Sequence, residues 1–122
     1  MRWPRSLPAD RQESQGEVAT LTPPPVAAST GLTPIGAVRF RERVRIRGMV
    51  LSVRVVPWVE SSPVLECTVF DETGGLTLVF LGRHTIGGIR PGSVLEAEGR
   101  VVEARGRLAL MNPLYDLISV DR

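Results

Sequence analysis

The chain of 122 residues contains no lysine, so all 15 of its basic residues are arginine. Arginine binds phosphate and carboxylate in a planar fork where lysine acts as a point charge, and without lysine a Walker-type nucleotide loop is excluded. One cysteine, Cys67, removes any intrachain disulfide framework or cysteine-based zinc site and suits a reducing cytosol. The single histidine, His84, cannot build a histidine-based metal cluster and reads as a surface loop residue. Apolar runs around Val53–Val59 and Leu76–Leu81 stop well short of the ~18 residues that span a membrane. The opening MRWPRSLPADRQ has no apolar stretch of the kind a secretory signal needs. A cytoplasmic protein with no membrane association is therefore expected. No nucleophile–base pair, paired catalytic carboxylates or glycine-rich cofactor fingerprint is visible, so no catalytic residue, metal or cofactor is expected and the chain reads as a non-enzyme.

Length allows one small domain, which hides only about two-thirds of its unfolded surface. Residues 1–34 hold six of the ten prolines, and Arg2, Arg5 and Arg11 cancel Asp10, Glu13 and Glu17. Such a segment cannot offset the entropy of ordering itself and reads as a disordered Pro-rich tail. Residues 35–122 carry twelve arginines and ten acids, 12 − 10 = +2, so all the excess charge lies there.

From Ile35 onward, short runs rich in Val, Leu and Ile are cut by turn residues every eight to twelve positions, the pattern of an all-β protein. Strands are expected over Arg43–Val56, Val64–Phe70, Leu76–Leu81, Ser93–Val102 and Arg107–Met111. The first changes phase after Gly48, where a bulge would let one long strand serve two sheet halves. Asp71-Glu72-Thr73-Gly74-Gly75 is a hairpin loop in which Asp71 makes local backbone hydrogen bonds. Gly87-Gly88 limits the third connection to a short turn or a single helical turn. Five strands in this order give a five-stranded OB-fold Greek-key barrel over residues 35–122.

The segments VRIRGMVLSVRV, LECTVFDETGGLTLVF, RPGSVLEAEGRV and GRLALMNPLYDL, in this order, resemble the wedge OB domain of the bacterial RecG branch-migration helicases. They are also similar to a family of small stand-alone OB-fold proteins of high-GC Gram-positive bacteria, with GRHTIGGI the closest segment. The resemblance covers about residues 35–120 and implies nucleic-acid binding. RecG wedges carry stacking aromatics after strand 3, where this chain has Leu81 and Thr85 or Ile86. That difference implies plain binding rather than strand separation.

Candidate contacts follow from residue type. Arg39, Arg41, Arg43, Arg45 and Arg47 fall at every second position, so on one strand they would stand ~6.6 Å apart on one face. Such a row either tracks a phosphate backbone or is answered by Glu96 and Glu98 on the antiparallel fourth strand. Arg54 adds a further cation. Trp58, in the loop Pro57–Pro63, either stacks on an unpaired base or lids the domain. Phe70 is either a stacking platform or a core residue. Arg83 and Arg90 in the third connection offer guanidiniums to a phosphate.

Two functions compete. The first is weak, salt-sensitive, sequence-tolerant binding of single-stranded or branched DNA, or RNA, with only five aromatics in residues 35–122 available to stack. The second is a protein-interaction adaptor that docks on a larger DNA- or RNA-processing partner, as the modest +2 also allows.

Overall fold

The computed structural model describes residues 31–59 and 62–118. The expected disorder of the tail falls on residues 1–30, outside the described residues. Among the described residues six strands form: β1 (Arg43–Val59), β2 (Ser62–Asp71), β3 (Gly74–Leu81), β4 (Val94–Ala104), β5 (Arg107–Met111) and β6 (Leu114–Ile118). A short 3-10 turn spans Ile35–Ala37, and no α-helix occurs among the described residues.

β1 pairs with β2, β2 with β3, β3 in parallel with β5, β5 with β4, and β4 back with β1, so five strands close into a ring. The 17-residue β1 makes closure possible by serving two partners. Its first half runs beside β4 from Arg43↔Arg100 to Met49↔Val94, and its second half runs beside β2 from Met49↔Phe70 to Val59↔Ser62. The phase change lies between Val50 and Ser52, where Leu51 is extra, and not at Gly48. Gly48 stays in register with Leu95. It serves close packing instead, since a Cβ there would lie 3.1 Å from both Ile35 Cδ1 and Val69 Cβ.

The core follows the strand period. Val44, Ile46 and Val50 are buried before the bulge, and Val53 packs against the same core after it. Leu65, Cys67 and Val69 on β2 meet Leu76, Leu78 and Phe80 on β3, with Leu95, Val101 and Leu110 completing the interior. Val55, two residues beyond Val53, is 49% exposed. The third connection contains no helix, and it sends Ile86 and Ile89 into the core.

Asp71 ties the N-terminal turn to the β2–β3 hairpin. Its carboxylate accepts the Ile35 N–H at 3.0 Å, as well as the Thr73 and Gly74 N–H groups and the Thr73 hydroxyl. The local bonds match expectation; the bond to Ile35, across 36 residues, was not foreseen. Order also reaches back before Ile35, since the Thr33 N–H donates to the Arg45 carbonyl at 2.8 Å.

The sixth strand corrects the expectation of five. Asn112-Pro113 does not end the sheet, because Asn112 adopts φ 48°, which asparagine tolerates. Its N–H donates to the Val79 carbonyl and its Oδ1 accepts the Leu81 N–H at 2.9 Å. The chain therefore turns beside β3 and resumes along β4, with Leu114 opposite Glu98 and Tyr115 opposite Ala97. Tyr115 packs edge-on against Phe80, ring centroids 5.7 Å apart.

Candidate nucleic-acid interface

The arginine row begins where β1 begins. Arg43, Arg45 and Arg47 alternate on one face, whereas Arg39 and Arg41 precede the strand and leave the row. Antiparallel register sets Arg45 opposite Glu98 and Arg47 opposite Glu96. Glu96, 9% exposed, receives Arg47 Nη2 at 2.6 Å and Arg45 Nη2 at 2.7 Å. Arg45 also reaches Glu98 at 3.2 Å and Asp116 at 3.3 Å, and Arg43 reaches Glu98 at 3.4 Å. The Arg47 hydrogen bond, helped by Arg45 and opposed by burial, holds the Glu96 carboxyl below the ordinary carboxylate range. Hydrogen bonding to Glu96 likewise raises Arg45 above the usual guanidinium value. Three arginines face three carboxylates, so the row is balanced within the sheet.

The opposite situation holds across the second half of β1 and its neighbours. Arg54 lies opposite Glu66, Glu66 opposite Val79, and Ala104 opposite Arg107. These residues, with Thr77 and Arg105, line a depression of about 130 Å³. Arg105, at φ 53°, and Gly106, at φ 86°, make the tight turn between β4 and β5 that carries Arg105 over this face. Glu66 accepts Arg105 Nη1 at 3.0 Å and Arg54 Nη2 at 3.4 Å. Arg107 has no hydrogen bond or ion pair among the described residues. Three guanidiniums therefore line a face with one carboxylate, which pairs Arg54 and Arg105 and leaves Arg107 over, 3 − 1 = +2. Val79 and Ala104 belong to the small apolar cluster beneath.

Register extends this face away from the charges. Ser52 sits opposite Thr68 and Thr68 opposite Thr77, which aligns three hydroxyl residues across β1, β2 and β3. Thr77 is 6% exposed, and its hydroxyl has no hydrogen bond among the described residues. Phe70 follows two residues beyond Thr68, half-buried and opposite Gly75, which offers no side chain to cover it. Of the two expectations for Phe70 the core one fails: Leu65, Cys67 and Val69 are core, and Phe70 lies on the other face of β2. Cations, hydroxyl groups and an aromatic ring thus succeed one another along one surface.

The remaining candidates scatter. Trp58 lies on β1 and not in a loop, because the strand runs on to Val59; its side chain lies outside the described ones. Arg83 and Arg90 are exposed in the third connection, beside His84, with no side-chain partner among the described residues. Sequence reading missed Arg105, Arg107 and Thr77. The signal was the Arg105-Gly106-Arg107 triplet, a turn flanked on both sides by guanidiniums.

No protein-family model and no curated protein matches this chain. Among solved structures it is similar to RecG bound to a three-way DNA junction, with a TM-score of 0.60 and 15% identity over 79% of this chain and 14% of that one. It is also similar to a protein described as an aspartyl-tRNA synthetase from Leishmania major Friedlin, with a TM-score of 0.53 and 12% identity over 93% of this chain and 27% of that one. At such identities the likeness is one of fold. The chain matches only 14% and 27% of the length of these structures.

Proposed function

We propose that this chain is a non-enzymatic OB-fold module that binds single-stranded or branched nucleic acid through the face running from Arg54, Arg105 and Arg107 to Phe70. The carrying observation is the imbalance on that face: Arg54 and Arg105 share Glu66, and Arg107 has no partner among the described residues. A strand laid along it meets arginines suited to phosphate, hydroxyl groups that hydrogen-bond without demanding one sequence, and a ring on which a base can stack. The ring of five strands and the likeness to RecG support an OB fold, although fold alone does not fix function. The motifs shared with the RecG wedge and with stand-alone OB-fold proteins favour a cytoplasmic role in DNA or RNA processing. The balanced β1 row contributes to folding more than to binding.

A test is fluorescence anisotropy with labelled single-stranded DNA, a three-way junction and tRNA at low salt. Replacing Arg105 and Arg107 together by Glu should weaken binding at least tenfold, whereas Arg47→Gln in the balanced row should change it little. Equal binding by the Arg105/Arg107 variant and the wild type would remove the groove from the interface.

One observation favours a second reading, the protein adaptor. Among the described residues β6 pairs only with β4, and its Leu114 is 67% exposed, so a partner could add a strand there. Under that reading Leu114→Glu abolishes a pull-down complex and leaves nucleic-acid titrations unchanged.

A further inference from the structure

The turn that leads directly into β1 has an unusual construction. Glu42 N–H donates to the Arg39 carbonyl at 3.1 Å, closing a four-residue turn with Phe40 and Arg41 at its centre. Arg41 has φ 78°, the value that the third residue of a type II turn requires and that favours glycine. An arginine there is a poor choice for the backbone. Its guanidinium lies 5.1 Å from the centroid of the Phe40 ring, and that ring is 51% exposed.

The turn is fixed to the sheet. Arg41 N–H donates to the Val101 carbonyl, Val101 N–H to the Glu42 carbonyl, and Arg100 Nη1 to the Arg41 carbonyl, each at 2.8 Å. Arg43 and Arg100 sit directly opposite each other across β1 and β4, a like-charge pairing that sheets disfavour. The carboxylate on this pair is Glu98, 3.4 Å from Arg43 and already held by Arg45. An exposed aromatic ring, a guanidinium stacked on it and two apposed arginines thus share one corner, at the opposite end of β1 from Arg54.

We propose that the Arg39–Glu42 turn is a second nucleic-acid contact, in which an unpaired base stacks on Phe40 and the adjoining phosphates lie on Arg41 and Arg100. This rests on the reading that the chain binds nucleic acid, and it extends the bound strand beyond the groove. A planar base can join the Phe40–Arg41 stack, which an acidic peptide cannot do. Glycine at this position would relieve the backbone and lose the stack.

The experiment compares the full chain with Phe40→Ala, Arg41→Gly and the Arg105/Arg107→Glu double variant. The probes are a labelled oligothymidylate of about 20 nucleotides, longer than one OB groove covers, and the same strand made abasic. Phe40→Ala should lower affinity for the thymidylate about fivefold to tenfold. Arg41→Gly should lower it severalfold while leaving the melting temperature equal or higher. Abasic sites should weaken wild-type binding more than they weaken Phe40→Ala. Wild-type affinity in Phe40→Ala and Arg41→Gly, with loss in the double variant, overturns the second contact and leaves the groove standing. Loss in the turn variants alone supports the second contact and removes the groove. A wild type that binds neither strand overturns both. Displacement of the strand by poly-glutamate at equal charge, or equal affinity for the abasic strand, overturns stacking and assigns the corner to acidic protein partners.

Discussion

Glu66 on β2 holds the guanidinium of Arg105 at 3.0 Å across 39 residues of sequence, and the same carboxylate reaches Arg54 at 3.4 Å. The side chain of Glu66 is 13% exposed, against 47% for Arg105 and 66% for Arg54. The carboxylate thus sits at the base of the depression with two exposed cations above it. It orders them, and it competes with any phosphate that enters.

That competition makes Glu66→Gln a gain-of-binding variant. The amide keeps the shape and releases two guanidiniums, so affinity for single-stranded DNA should rise about threefold to tenfold at low salt, the effect of an exposed ion pair of up to ~1 kcal/mol or slightly more. Anisotropy titration checks this. Weaker binding would mean that Glu66 acts by ordering Arg105 rather than by competing.

Glu96 makes a prediction about pH. Its carboxyl is depressed in the folded chain, chiefly by Arg47. A depressed carboxyl stabilises the fold above its unfolded value, ~4.3, and that contribution is lost as pH falls through the lower folded value. Glu96→Gln should therefore lower stability near pH 7 by about 1–2 kcal/mol, a modest figure because solvent reaches the arginines. The gap in melting temperature between the two proteins should narrow below about pH 4. A gap that stays constant with pH would show that Glu96 acts by shape alone.

Asp71 tests the clamp on the N-terminal turn. Its 7% exposed carboxylate accepts from three backbone N–H groups and one hydroxyl. Asp71→Ala leaves those donors unpaired and should destabilise the fold by about 2–4 kcal/mol in urea titrations. Hydrogen exchange should speed first at Ile35, Thr73 and Gly74.

Cys67 lies fully inside the core, and burial pushes its thiol up to about 12. It should resist iodoacetamide at pH 8 in the native protein and react readily in denaturant. Comparable rates in both states would contradict the packing of Leu65, Cys67 and Val69 around it.

Much of the sheet is legible in the residues because burial has period two. Val44 and Ile46 alternate with arginines, and Leu65, Cys67 and Val69 declare the inner face of β2. Pairing is harder to read, because it depends on register. Glu96 and Glu98 were plausible partners for the row, but only the Arg45↔Glu98 and Arg47↔Glu96 alignments decide that the row is balanced. β6 escaped notice because Asn112-Pro113 carries the chemistry of an ending, and here it only redirects the chain from β3 to β4. Arg54 and Phe70 stood out from the sequence. Arg105 and Arg107 did not, since a turn triplet says nothing of which strand it overhangs until β4 and β5 are set beside β2.

The central claim is that arginines of the Arg54–Arg107 face contact phosphates, and the salt dependence of binding tests it most directly. With about three phosphates neutralised on a single strand short enough to fill only the groove, log affinity against log salt should fall with a slope near −2, and it should flatten towards −1 or above when Arg105 and Arg107 become Ala. A slope near zero, or one unchanged in that variant, would contradict it.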